Sequence, residues 1–406
     1  MLTNDNITLH ELPVYWSLKQ DEPELYKTLI EHIPSVAIAD HLNPFPVQKN
    51  AVITPLTETM VVRPHRHWRA FYFKLQQYHT NYEGYLALKG TEALSENIPE
   101  LLNRIKSVHS IYTWSTRKSG LGLPINDHAL LPMYDRFLFL ENKIPLLYSL
   151  SEAVEAVSSS LELQKAYLNT HSMPAKIPIP IAIYHIPPEK LEPIDSLFKE
   201  FYDVKRYRNI HHKMKEGVAI QTYWYPTIPE RVAYLNYPAA SCLTTFKTRM
   251  HTLSAIMDVP SCIDQWILLF CRFLNLGYLL ADPTSYQEGY CLDPGNLVLD
   301  GGFVDMSGIR HIDTFHYPGE SQFIFKNTID MLVNGILSLL IGSGSMSFGL
   351  KSVFPDFTQN IYQAIKNNID IDTKAQRFIH PTVKQWVSPK PNAQDIIEKL
   401  SHFLEL

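Results

Sequence analysis

Apolar residues three and four positions apart over Glu22–His32 predict a short helix, set among Pro-punctuated loops in the first 60 residues. From Trp68 the pattern turns to strands. Arg69–Leu75 and Gly84–Leu88 are apolar and aromatic runs joined by the polar segment Gln76–Glu83, which predicts a hairpin. Pro99–Val108 reads as a helix with Pro in its first turn and Leu101, Leu102 and Ile105 on one face. Strand-like runs follow at Arg136–Leu140, Leu146–Tyr148, Ile177–Tyr184, Val218–Tyr225 and Arg231–Leu235, interrupted by helical Ser151–Leu168 and Leu191–Tyr202. The last third is helical in pattern. Ile263–Leu280 is almost uniformly apolar, as a helix buried on most of its surface would be, and Phe323–Ile341, Phe357–Asn368 and Ala393–Leu406 follow. A β-rich part followed by an α-rich part predicts an α+β, bilobal chain. Residues 1–60 form an extension, 61–239 the β-rich lobe with insertions, and 240–406 the helical lobe.

Charge narrows the partners. Lys and Arg number 36 against 41 Asp and Glu, and no block of like charge occurs, so neither nucleic acid nor an anionic membrane is expected. Cys242, Cys262, Cys271 and Cys291 have no CxxC spacing and are expected to be reduced, mostly buried thiols of a cytosolic protein. The start, MLTNDNITLHELP, has neither the basic end nor the apolar core of a signal peptide, and no apolar stretch reaches the roughly 20 residues that span a bilayer.

The chemistry concentrates in Cys291–Gly308, CLDPGNLVLDGGFVDMSG. Asp293-Pro294-Gly295-Asn296 is a turn sequence, Leu297–Leu299 a short apolar strand, and Asp300-Gly301-Gly302 a hairpin turn. Phe303-Val304 returns to Asp305, so Asn296 and Asp305 are expected at the same end of the hairpin. Two oxygen donors on adjacent strand ends suit Mg²⁺, which takes one or two protein groups and fills its other positions with water and phosphate. Kinases hold their metal with an Asn after the catalytic loop and an Asp opening the next loop.

The nine-residue step from Asn296 to Asp305 resembles that of the selenoprotein O family of kinase-like protein adenylyltransferases. As in that family, no Asp stands five residues before the metal-binding Asn; Cys291 occupies that position. The family's His and Asp-Asn pair are missing, Gly295 preceding Asn296, and Asp293 is the nearest carboxylate to serve as base. The resemblance covers about 20 residues closely and otherwise only the order of elements. It implies a kinase-like bilobal fold, with Mg²⁺ and ATP as cofactors and a protein or small molecule as acceptor.

Upstream, Tyr85-Leu86-Ala87-Leu88-Lys89-Gly90 resembles both the kinase V-A-I-K strand and the corresponding strand of the selenoprotein O family. Lys89 would bind phosphate, and Glu100, on Pro99–Val108, would orient it, with Glu96 the second choice. No GxGxxG precedes Lys89; Arg117 and Lys118, in RKSGLGLPIND, supply cations and backbone N–H groups for a phosphate cradle. His65, His67, His211 and His212 lie in polar stretches without HExxH spacing and read as surface residues. Three function classes follow, the first two being a transferase moving AMP or a phosphoryl group and a pseudoenzyme or partner-binding protein that keeps the fold without turnover. A modifying enzyme on an unrelated fold is the third.

Overall fold

In the computed structural model, residues 12–32, 70–74, 85–90, 144, 147–225, 250–251, 253–255, 257–280, 296–306, 309–314, 328, 332–333, 335–336, 339–340, 361 and 363–370 are described. Helix and strand are mixed, in an α+β arrangement. The chain divides into two compact units. One comprises 1–116, 133–161 and 178–229, the other 117–132, 162–177 and 230–406. Among the described residues no helix is long and apolar enough to cross a membrane.

The first unit is built on a five-stranded antiparallel sheet of β1 (Val14–Ser17), β2 (Ala70–Lys74), β3 (Tyr85–Lys89), β4 (Ile179–Ile186) and β5 (Val218–Tyr225), ordered β1-β4-β5-β3-β2. The expected hairpin of β2 and β3 forms, in register from Ala70 opposite Lys89 to Lys74 opposite Tyr85. β5 lies at the centre and is buried along its whole length, which explains why every position but Gln221 and Thr222 is apolar or aromatic. Its polar pair is accommodated locally: Thr222 Oγ1 donates to the Ala182 carbonyl at 3.3 Å, and Gln221 stands opposite Lys89. Helices α1 (Leu18–Asp21) and α2 (Pro23–His32) follow β1, the second close to its expected bounds.

Helix α3 (Leu150–His171) begins at a reciprocal capping box. Ser149 Oγ accepts from the Glu152 N–H at 3.2 Å, and Glu152 Oε2 accepts from the Ser149 N–H at 3.3 Å. This start corrects the expectation of a strand over Leu146–Tyr148. Leu147 and Tyr148 are not strand; the Tyr148 carbonyl accepts from Ala219 N and Ser149 makes a single bridge to Val218 before the helix begins.

Helix α4 (Pro188–Phe201) buries Leu191, Ile194, Leu197 and Phe198 on one face. The hydrophobic pattern alone does not signal α5 (Val204–Glu216), because only Ile210 and Met214 are buried on it. Its N-cap explains it better: the Asp203 carboxylate accepts from the N–H groups of Lys205 and Arg206, both at 3.0 Å. His211 is not merely a surface residue. Its Nδ1 lies 2.9 Å from Asp195, which also accepts from Tyr207, so this polar cluster ties α5 to α4.

In the second unit, helix α6 (Val259–Asn275) is capped by Asp258, whose side chain accepts from Ser261 N. The expected single helix Ile263–Leu280 is corrected at its end. Gly277, at φ +92°, caps α6 with its N–H on the Leu274 carbonyl, and Tyr278–Leu280 becomes strand β6. β6 pairs antiparallel with β7 (Ile309–His311), Tyr278 opposite His311. Helical backbone at Thr328, Leu332–Val333, Gly335–Ile336, Leu339–Leu340, Ile361 and Gln363–Asn367 falls inside the expected segments Phe323–Ile341 and Phe357–Asn368. The latter docks on α6 where Cys271 Sγ donates to the Ile365 carbonyl and Asn275 bonds the Asn368 carbonyl and Asp370. Cys262 and Cys271 are buried free thiols, as expected.

Gly90, directly after Lys89, has φ +99°, and a Cβ there would lie 2.4 Å from the Ala219 carbonyl oxygen and 2.8 Å from Tyr148 Cβ. Neither atom can withdraw without disturbing β5 or the entry to α3. Gly90→Ala is expected to cost about 3 kcal/mol or more, from backbone strain and the clash together, read as a lowered urea midpoint.

Candidate functional site

The central element of the site is the hairpin 296–305, and it forms as the turn chemistry predicts. Leu297 bridges Phe303, Val304 N–H donates to the Asn296 carbonyl at 2.9 Å, and Val298 N–H to the Gly302 carbonyl at 3.0 Å. Gly301 closes the turn at φ +86°. Since Val304 pairs with Asn296, Asp305 follows immediately, and the two expected metal-binding residues stand at the same end of the hairpin. Both are half-buried. Asp305 has φ +60°, a left-handed conformation uncommon for a residue other than glycine, and more readily accepted by Asp and Asn than by most side chains.

The hairpin is held against α6 and the segment after α3. Trp266, fully buried, donates its indole N–H to the Val298 carbonyl at 2.9 Å and to the Gly302 carbonyl at 3.2 Å. Cys262, one turn earlier, directs its thiol at the same Val298 carbonyl, and burial together with the Asp300 charge pushes that thiol up, leaving an inert packing group. From the other side, Lys176 accepts from Phe303 N–H on its carbonyl at 3.0 Å. Its ammonium donates to the Asp300 carbonyl at 2.9 Å and to Gln265 Oε1. Asp300 Oδ1 accepts from Gly302 N–H at 2.9 Å. Loss of solvent raises the Asp300 carboxyl above its ordinary range, the Gly302 N–H and the Lys176 charge opposing that rise. Sequence reasoning passed over Lys176 and Trp266. Both act on backbone carbonyls, and no residue pattern announces such contacts.

Lys89 is the other described site residue, and it belongs to the first unit, whereas Asn296 and Asp305 belong to the second. It ends β3, half-buried, with its ammonium 4.4 Å from the centre of the Tyr148 ring, a cation–π contact. Tyr148 in turn donates its hydroxyl to the Glu152 carbonyl, so the end of the Lys89 strand abuts the start of α3. The described helix that next follows Lys89 therefore carries Glu152 in its first turn, a residue the sequence reading did not consider. Glu100, Arg117, Lys118 and Asp293 lie outside the described residues, as do Glu96, Cys242, Cys291, His65 and His67. So do Pro99–Val108, Arg117–Asp127, Arg136–Leu140, Arg231–Leu235 and Ala393–Leu406.

Asn296 and Asp305 supply hard oxygen donors, the type that Mg²⁺ accepts when phosphate and water complete its shell. Among the described residues no group of three or more His, Cys, Asp or Glu is placed to hold a metal ion.

The raised Asp300 carboxyl has a pH consequence. Folding favours its protonated form, so the wild-type protein loses stability as pH rises from the ordinary carboxylate range through the raised value. Asp300→Asn keeps an acceptor for Gly302 and removes the ionisation. Its melting temperature is expected to match wild type below about pH 4 and to exceed it increasingly towards pH 7.

No protein-family model matches the chain, and no curated protein or solved structure matches it.

Proposed function

We propose that this chain is a kinase-like, Mg·ATP-dependent transferase with a bilobal fold, moving AMP or a phosphoryl group to a hydroxyl acceptor. The observation that carries the reading is the hairpin. It carries Asn296 and Asp305 at the same end, with Asp305 in a backbone conformation that non-glycine residues hold at a cost and that collects at functional sites. The element order adds support. Lys89 ends a strand flanked by two others, and the described chain continues into a long helix whose first turn adjoins it. A Lys on a strand and an acidic residue on a following helix are the upstream half of a kinase-like site.

In this reading Lys89 binds phosphate and Glu100 orients it, with Arg117 and Lys118 adding positive charge. Asn296 and Asp305 hold the metal, which when bound neutralises charge on the phosphates. Asp293 orients the acceptor hydroxyl. Such transfers draw most of their acceleration from positioning and charge neutralisation, so residues that hold geometry matter as much as the base. Cys291, standing where a kinase base is expected, favours a second reading: a binding or regulatory protein that retains nucleotide without turnover.

Incubation with Mg²⁺ and α- or γ-labelled ATP separates these readings. Label from the α position on an acceptor indicates adenylylation, label from the γ position a kinase, and ATP-dependent thermal stabilisation without label the pseudoenzyme. No label and no stabilisation sinks the nucleotide reading altogether. Asp305→Asn is the cleanest variant, because Asn also accepts a left-handed backbone and only the charge is lost. With Lys89→Met, it is expected to lower labelling about 100-fold or more.

A further inference from the structure

Among the contacts described, the segment between α3 and β4 meets the hairpin at Lys176. Gln164, fully buried on α3, donates its side-chain amide to the carbonyls of Ala175 and Ile177 and accepts from the Ala175 N–H at 2.9 Å. The backbone on both sides of Lys176 is thus pinned by one side chain. The Lys176 carbonyl accepts from Phe303 N–H, and its ammonium donates to the Asp300 carbonyl and to Gln265 Oε1 on α6. Gly302 completes the fit, since a Cβ there would lie 2.5 Å from the Lys176 carbonyl oxygen.

Phe303 stands two residues before Asp305, and Asp300 closes the turn that sets how its two strands are aligned. Moving Lys176 would therefore move the strand that ends in Asp305 relative to the one that begins at Asn296. Trp266 fixes the same hairpin from α6, but through Val298 and Gly302, not through Phe303 or Asp300. Only Lys176, among the contacts described, reaches the Asp305 strand by a main-chain bond and the turn by a charged one.

We propose that Lys176 is a positioning residue for the Asn296/Asp305 pair, setting their mutual placement through the hairpin without touching metal or nucleotide. The proposal rests on the reading of that pair as the metal site. Residues that orient ligands in this indirect way typically contribute about 10- to 100-fold in metal affinity. Its signature is a metal-specific defect. The ammonium matters to the alignment of the donors, not to how nucleotide packs elsewhere.

The test uses the full chain and a fluorescent ribose-labelled ATP, with affinity measured across a Mg²⁺ series and in its absence. Lys176→Met keeps the stem and the backbone carbonyl and removes the ammonium. It is expected to raise the Mg²⁺ concentration for half-maximal effect about tenfold while leaving metal-free affinity unchanged, and Lys176→Arg should recover most of the loss. If Lys176→Met does not fold, Gln265→Met, which removes one of the two acceptors of the ammonium, carries the same test with a smaller shift in the same direction. A variant that titrates with Mg²⁺ as wild type does, or that loses metal-free affinity equally, overturns the positioning role alone. A wild-type protein whose ATP affinity ignores Mg²⁺, or keeps its Mg²⁺ response in Asp305→Asn, overturns the metal-site reading and the positioning role together.

Discussion

The second unit depends on one buried donor. Trp266 presents its indole N–H in the interior, where an unpaired polar group is costly, and the hairpin supplies two carbonyls to it. The exchange is mutual. The turn Asp300–Gly302 folds back so tightly that the carbonyls of Val298 and Gly302 face the same space, and without the indole the Val298 oxygen would keep the Gly301 N–H at 3.0 Å and the weak bond from the Cys262 thiol. Around this pair the remaining contacts arrange themselves: Lys176 on the other side of the hairpin, Gln265 one residue before the tryptophan, and the apolar body of α6 beneath. The placement of Asn296 and Asp305 is thus inherited from a helix that carries none of the proposed chemistry.

In the first unit the corresponding constraint is steric. β3 ends at Lys89 and must then turn away beside the Ala219 carbonyl with no room for a side chain, so a glycine follows the lysine. The space denied to a Cβ is filled by Tyr148, which carries the ammonium over its ring and passes a hydrogen bond to the first turn of α3. Backbone crowding and aromatic packing together decide where that charge sits.

How far the sequence discloses this follows from what each interaction leaves in it. β5 is legible because burial on both sides of a central strand demands apolar or aromatic residues at nearly every position, and the 296–305 hairpin because its turn needs residues of special conformation. The end of α6 is misread because apolar periodicity runs straight through Leu276 and into β6; only Gly277 marks the stop, and a glycine inside an apolar run is easily taken for a tolerated one. α5 is missed because its stability comes from an Asp203 cap and a two-residue apolar stripe, not from a wide amphipathic face. The Lys176 and Trp266 contacts leave no pattern, since each joins a side chain to backbone carbonyls that any residue possesses. That Asn296 and Asp305 fall at the same end of the hairpin is legible for the opposite reason: it is local, and hairpin geometry alone dictates it.

Hairpin turns ordinarily sit at the surface, where length is the property most freely altered. Here Gly301 and Gly302 are buried, the first with Gln265 filling the space where a Cβ would stand and the second against the Lys176 carbonyl. The nine-residue step from Asn296 to Asp305 is therefore measured by interior walls on both sides. Adding one residue to that turn would leave an extra peptide group with nowhere to go but the core, and would exchange the inward and outward sides of one strand. What the sequence shows as a spacing of letters is, in the folded chain, a length with no slack.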